Sequence, residues 1–255
     1  MLIQCYNNYY KNHHTIVRYN LYNSDYIYIN ALSKAPDLAK QMNVHSPSGE
    51  YRSQERREAM TFAGYIAEQL VMDMINDILI NIYKVSGIYA HPVDFDKNKA
   101  INGGSFSQVD LAVTNSFTRK SVTIEVRSSI VKKSILRDNN VYNYDQSLIG
   151  SYSTGNKSSE DIKDFYITVL FRSSTDMFTD ESGKHIPNWR IIDSIKKQKS
   201  TIIADIAGCA SKYLLYQLGQ HDNLDQNGAD YLNIKPIVKS NSIYDIVSEI
   251  YNMVI

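Results

Sequence analysis

The sequence predicts an α/β domain, a mixed β-sheet flanked by helices, preceded by an N-terminal extension. Three stretches of the 255-residue chain carry that reading. From Ser53 to Lys84, Phe62, Ile66, Leu70, Met74 and Ile78 recur at helical spacing, and Val71, Ile75, Leu79 and Ile82 add a second stripe. So wide an apolar surface marks a long helix buried over most of its girth. From Ser107 to Ser129, Val109, Leu111 and Val113, then Val122, Ile124 and Val126, alternate with other residues around a polar turn at 115–120. A period of two marks strands, so this stretch is a hairpin. Phe165 to Phe171, FYITVLF, is a continuous β-rich apolar run. A strand covered on both faces reads that way.

The remaining elements follow in order. Residues 1–50 form the extension, rich in Tyr and Asn. Thr15 to Leu32 are expected to hold one or two strands turning at Asn23-Ser24-Asp25, with His13-His14 exposed on a polar segment. Ser46-Pro47-Ser48-Gly49 reads as a loop. Ser53 is the cap of the long helix, and Glu68 lies within it. A carboxylate there needs a partner or a place at the exposed margin, because burying an unpaired charge is expensive. Gly87 to Asp96 reads as a strand that Pro92 confines to an edge, with His91, Asp94 and Asp96 at its polar end. Asn102-Gly103-Gly104-Ser105 leads into the hairpin. Residues 132–163, 176–187 and 221–228 read as loops. Trp189 opens a short amphipathic stretch. Ser200 or Thr201 is expected to cap a helix that runs to about Leu218 and stops at Gly219. Tyr231 to Val238 reads as a last strand and Ile243 to Val254 as a closing helix. With no internal repeat and no linker, 1–255 is expected to form a single domain. Its core spans about 53–220, and 221–255 add a C-terminal strand and helix.

Composition narrows the class. Hydrophobic residues make up 43% and charged residues 21%, which is globular rather than disordered. Two cysteines, Cys5 and Cys209, have no metal-ligand spacing and imply no disulfide framework, so a reducing, cytoplasmic compartment is expected. The N-terminus is too polar for a signal peptide, and no apolar run reaches membrane-spanning length, so no membrane partner is expected. Twenty tyrosines offer flat rings that stack and hydroxyls that bond. Formal net charge is zero, which excludes a chain-wide nucleic-acid footprint. Charge is nevertheless concentrated: Arg119, Lys120, Arg127, Lys132, Lys133 and Arg137 stand against one acid, Glu125, between 119 and 137.

That acid belongs to the hairpin, where register decides the chemistry. If Val113 pairs with Val122, Asp110 stands opposite Glu125, and opposed residues project to one side of a sheet. Arg127 shares that face. Two like charges across a pair destabilise it, so the two carboxylates call for a cation. A hard divalent ion takes oxygen ligands and suits phosphate chemistry. The surrounding Lys and Arg then read as a phosphate-binding rim.

The order of a helix with Glu68, a strand, a hairpin with Asp110 and Glu125-Val126-Arg127, and an apolar strand resembles the PD-(D/E)xK nuclease superfamily, the restriction-endonuclease-like fold. The resemblance covers roughly residues 53–172. Asp110 matches the acidic residue of the first motif, Glu125 the Glu of E-x-K, and Glu68 the helix carboxylate that often completes the site. Val109 stands where the family has Pro, and Arg127 where it usually has Lys. Arginine does not give up its proton in water, so Arg127 is no general base, but it can hold a phosphate or hydroxide electrostatically.

The resemblance implies a restriction-endonuclease-like core in which Asp110, Glu125 and the Val126 carbonyl ligate Mg²⁺, with Mn²⁺ as a possible substitute. It assigns Asp110, Glu125, Arg127 and Glu68 to catalysis. The implied function is Mg²⁺-dependent endonuclease cleavage of double-stranded DNA. A chain of this size without a Walker sequence looks like a Type II restriction enzyme, and palindromic recognition implies a homodimer. Arg119, Lys120, Lys132, Lys133, Arg137, Lys157 and Arg172 are candidate DNA contacts, with Lys184 and Arg190 beside them. Two alternatives stand: a repair, recombination or phage DNA-processing nuclease of the same fold, and a non-catalytic DNA-binding module with a degenerate site.

Overall fold

The computed structural model describes residues 3–8, 14–45, 50–93, 109–131, 146–153, 162–173, 186–222 and 230–255. Seven strands form one sheet in the order β1 (Ile3–Asn8), β2 (His14–Leu21), β8 (Ile202–Ser211), β7 (Phe165–Ser173), β5 (Ser121–Val131), β4 (Leu111–Asn115) and β3 (Ile88–Pro92). Only the β5–β7 pair is parallel, so the sheet is mixed. A smaller antiparallel sheet holds β6 (Leu148–Ser153), β10 (Asp230–Ile234) and β9 (Gln220–Asp222).

Strand alternation divides the core in two. Val122, Ile124 and Val126 of β5, with Phe165, Ile167 and Val169 of β7, face a large apolar cluster. That cluster also takes side chains from α1 (Tyr26–Gln41), α2 (Gln54–Asn81), α3 (Asn188–Gln198) and α5 (Ile243–Val254). The opposite face, with Val131, Tyr166 and Leu170, meets the small sheet, α4 (Lys212–Leu218) and a 3-10 turn at Ile237–Lys239. The α/β class is therefore as the sequence predicts.

The long helix begins where expected, its Ser53 hydroxyl accepting from Arg56 N–H at the first turn. Its apolar stripes, Phe62 to Ile78 and Val71 to Leu79, are buried, whereas Ile82 lies exposed just past the end. The closing helix also spans the expected residues, with Ser242 and Asp245 forming a reciprocal capping box. β7 is buried on both faces, and β3 is an edge strand ending at Pro92. The hairpin register is Val113 opposite Val122. Its turn is held by Asn115, whose Oδ1 accepts from Phe117 and Thr118 N–H, while Arg119 takes the left-handed conformation at φ 60°. Gly87 sits at φ 85° against the Phe117 ring, where a side chain would collide.

Six expectations are corrected. Tyr26 to Leu32 is the start of α1, not a strand: Ile27, Tyr28, Ala31, Ala35 and Ala39 make one buried helical stripe that the local Tyr-Ile-Tyr-Ile alternation disguises. Ile202 to Ser211 is β8, not a helix, and only Lys212–Leu218 is helical, ending at Gly219. Paired on both edges, this segment is nearly all buried, so tertiary pairing overrides a composition that suits a helix. Within 132–163, Leu148–Ser153 is a strand, found only through its pairing with β10. The final strand stops at Ile234, and a 3-10 turn covers Ile237–Lys239. His14 is buried at 4% exposure, Nε2 lying 2.6 Å from the Ala207 carbonyl oxygen and Nδ1 3.1 Å from that of Ser240. Gln220–Asp222 forms β9 where a loop was expected from 221. The extension is an integral part of the sheet, since β2 pairs with β8. The readings at 46–49, 102–105 and 176–185, and His13, lie outside the described residues.

Candidate active site

The site grows from the place where β4 stops. Its pairing with β5 ends at Leu111 opposite Ile124, leaving Asp110 just before the strand and Glu125 just past the last pair. Asp110 is anchored on both sides. Its carbonyl accepts from Val93 N–H at 3.2 Å, beyond the end of β3. Its Oδ2 accepts from the Val126 N–H at 2.7 Å, reaching across to β5. A side-chain oxygen thus takes a backbone donor that β4 no longer reaches.

Glu125 lies in the middle of the sheet, only 3% exposed, with Tyr166 as its partner on β7. Arg127 Nη2 stands 3.2 Å from Glu125 Oε1, so the cation that the sequence placed two residues on is in contact with the carboxylate. Glu68 approaches from α2, on the other side of the sheet. Burial, and after it the charge of Asp110, pushes the Glu68 carboxyl up to about 8. The helix carboxylate and the strand carboxylate therefore feel one another, and near neutral pH Glu68 holds its proton.

That proton has a consequence for stability. An ordinary Glu ionises near 4.5, so between about 4.5 and 8 the folded chain carries a proton that the unfolded chain has lost. Stability is then full below the lower value and declines as pH rises, by up to about 1.4 kcal/mol per pH unit. Glu68→Gln removes the dependence. In thermal melts without divalent ions at pH 8 the variant is expected to melt above the wild type, and the difference to vanish at pH 4.5. Equal melting curves at pH 8 would refute the assignment.

With this geometry in place, comparison with known proteins adds kinship. Over 230 residues the chain is 30% identical to the uncharacterized protein MJECS01 of Methanocaldococcus jannaschii, covering 86% of this chain and 79% of that one. The chain belongs to that protein's family. No family model and no solved structure matches it. Among the described residues, no helix is long and apolar enough to cross a membrane.

The expected cationic rim is only partly placed. Arg119 and Lys120 are exposed at the hairpin tip, and Lys120 Nζ reaches the Ile255 carbonyl at 3.2 Å. Five residues of extended strand set the tip about 17 Å from Glu125. Arg172 is buried, its Nε 2.8 Å from Asp205 Oδ2. Arg190 is exposed, its guanidinium over the Trp189 ring at 5.4 Å. Lys132, Lys133, Arg137, Lys157 and Lys184 lie outside the described residues, as do Asp94 and Asp96. His91 bonds Thr114 Oγ1 and is not gathered with the carboxylates among the described contacts.

Sequence reasoning missed the cluster around Asp205. This fully buried carboxylate takes Arg18 Nε at 2.6 Å and Nη2 at 2.9 Å, besides Arg172. An acid inside the apolar run IIADIAGCA was the available signal. An open hollow of about 410 Å³ beside α3, lined by Glu55, Trp189, Arg190 and Lys197 among others, contains none of the site carboxylates.

The donor set can be tested against a divalent ion. Among the described residues, no three His, Cys, Asp or Glu side chains converge closely enough to hold an ion by themselves. Asp110, Glu125 and the Val126 carbonyl would offer oxygen atoms alone, which is what a hard cation takes. Glu68, kept neutral by burial and by Asp110, marks a place short of positive charge.

Proposed function

We propose that this chain is a metal-dependent DNA endonuclease of the PD-(D/E)xK type, with a restriction-endonuclease-like core, and that it cuts double-stranded DNA at a specific sequence. The observation that carries the reading is Asp110, next to the last hairpin pair of Leu111 with Ile124, bonded to the Val126 amide and within electrostatic reach of Glu68. The strand order β7-β5-β4-β3, with one parallel and two antiparallel pairs and α2 on one face, supports it.

Asp110 and Glu125 would hold Mg²⁺ or Mn²⁺ with the Val126 carbonyl. Once bound, the ion acidifies water and offsets negative charge building on the phosphate. The chain's own residues do the rest. Asp110, fixed by the Val126 N–H, presents its carboxylate in one orientation. Arg127, 3.2 Å from Glu125 in the free protein, carries a planar guanidinium that would hold a non-bridging phosphate oxygen. Glu68, protonated in the free protein, can donate a hydrogen bond to a phosphate oxygen, and once ionised it can accept a proton from the attacking water. A palindromic target would be bound by a homodimer.

One observation favours a second reading. Arg127 already neutralises Glu125 at 3.2 Å, as it would in a DNA-binding module that has lost its ion. Incubating the purified protein with unmethylated phage DNA, with Mg²⁺ and with EDTA, separates the two. Discrete fragments that need Mg²⁺ are expected. A smear identifies a less specific nuclease of the same fold, and a mobility shift without cleavage supports the binding module. Intact, unshifted DNA under all conditions rejects both.

A further inference from the structure

On β7, Tyr166, Thr168, Leu170 and Arg172 alternate onto the face that meets the small sheet, where Tyr166 and Leu170 join the apolar cluster. Thr168, between them, is 2% exposed, and its Oγ1 has no hydrogen-bond partner among the described residues. Buried hydroxyls nearly always find a partner, because leaving one without forfeits its hydration.

Register shows what stands beside it. Across the parallel pair, Thr168 is opposite Arg127, just as Tyr166 is opposite Glu125. Residues paired in this way share a face, so Glu125, Arg127 and Thr168 form one patch. On its other flank Thr168 is opposite Gly208. No side chain projects there, and an added Cβ would lie 2.5 Å from Ile237 Cγ1 and 2.6 Å from Ser240 Oγ, whose hydroxyl donates to the Ile237 carbonyl. Arg127 is the polar neighbour on the parallel strand. β8 also shifts register between the partners of Thr168 and Val169. Such irregularities re-aim side chains and cluster beside functional sites.

Resting on the nuclease reading above, we infer that Thr168 is a substrate-binding residue of the same site: its hydroxyl donates to a non-bridging phosphate oxygen of DNA that Arg127 also holds. A guanidinium is a pure donor and a threonine hydroxyl supplies one more, so the two side by side suit an anionic oxygen. The hydroxyl is left without an acceptor in the free protein because its acceptor arrives with the substrate.

Thr168→Val keeps the shape and removes the hydroxyl. Wild type, Thr168→Val, Thr168→Ser and Asp110→Asn are compared in single-turnover cleavage of phage DNA with Mg²⁺, and the free proteins in thermal melts. Thr168→Val is expected to cleave about 10- to 100-fold more slowly, the loss of one hydrogen bond to a charged group. It should melt no lower than the wild type, since an unsatisfied buried hydroxyl has been replaced by a methyl, and Thr168→Ser should recover most of the rate. A lower melting temperature for Thr168→Val identifies a merely structural hydroxyl and overturns the assignment. An unchanged Thr168→Val rate with a dead Asp110→Asn overturns it while leaving the nuclease standing. A wild type as inactive as Asp110→Asn overturns the nuclease reading and this one with it.

Discussion

Asp110→Asn and Glu125→Gln are each expected to slow Mg²⁺-dependent DNA cleavage by at least about 100-fold, the scale set by removing one preorganised electrostatic contact in a site of this kind. The substitutions separate charge from shape. Asparagine still offers an oxygen to the Val126 N–H that Asp110 now accepts at 2.7 Å, so the end of β4 stays in place. What it loses is the negative charge a cation needs. Folding moves the other way. Asp110 is one of the two causes that push Glu68 up to about 8. Without that charge the Glu68 carboxyl ionises more readily, and the free protein should melt slightly higher near pH 8. Loss of cleavage together with equal or greater stability would be the signature of a site residue. Full cleavage by either variant would remove that residue from the site, and full cleavage by both would dismiss the site.

The largest stability loss is expected from Asp205→Ala, about 3–5 kcal/mol by urea unfolding. Asp205 is fully buried and lies between two guanidiniums, Arg18 of β2 at 2.6 Å and Arg172 of β7 at 2.8 Å. Removing the carboxylate leaves two cations facing each other with little water to replace it. Arg18 is opposite Asp205 in the β2–β8 register, so the loss falls on the strand pair that carries the N-terminal segment into the sheet. Asp205→Asn, which keeps the volume and two acceptor lone pairs, should lose less. A cost below about 1 kcal/mol for the alanine variant would mean that the pair behaves like an exposed surface bridge.

The elements legible in advance were those whose own pattern decides their conformation. The capping residue and two apolar stripes of α2, the alternation and turn of the β4–β5 hairpin, and the unbroken apolar run of β7 each needed no distant partner to be recognised. The hairpin's pairing followed from the hairpin alone, because one correct pair, Val113 with Val122, sets the partners of the other residues along it. The misread elements share a different property. β8 holds helix-forming alanines in a strand because β2 and β7 lie on either side of it. β6 is short and polar at its edges and exists through β10. The start of α1 alternates like a strand until the alanines further along show the helical stripe.

The same division runs through the chemistry. The sequence by itself determined the hairpin and its register, and with them that Glu125 and Arg127 share one face of the second strand, since these are neighbours along a single turn of chain. Only the tertiary structure decided that Glu68 comes within electrostatic reach of Asp110, that Arg172 turns inward to Asp205, and that Thr168 stands beside Arg127. Those contacts join residues tens of positions apart on elements whose spacing is set by packing, and a local pattern of apolar and polar residues carries no record of which distant strand will lie alongside.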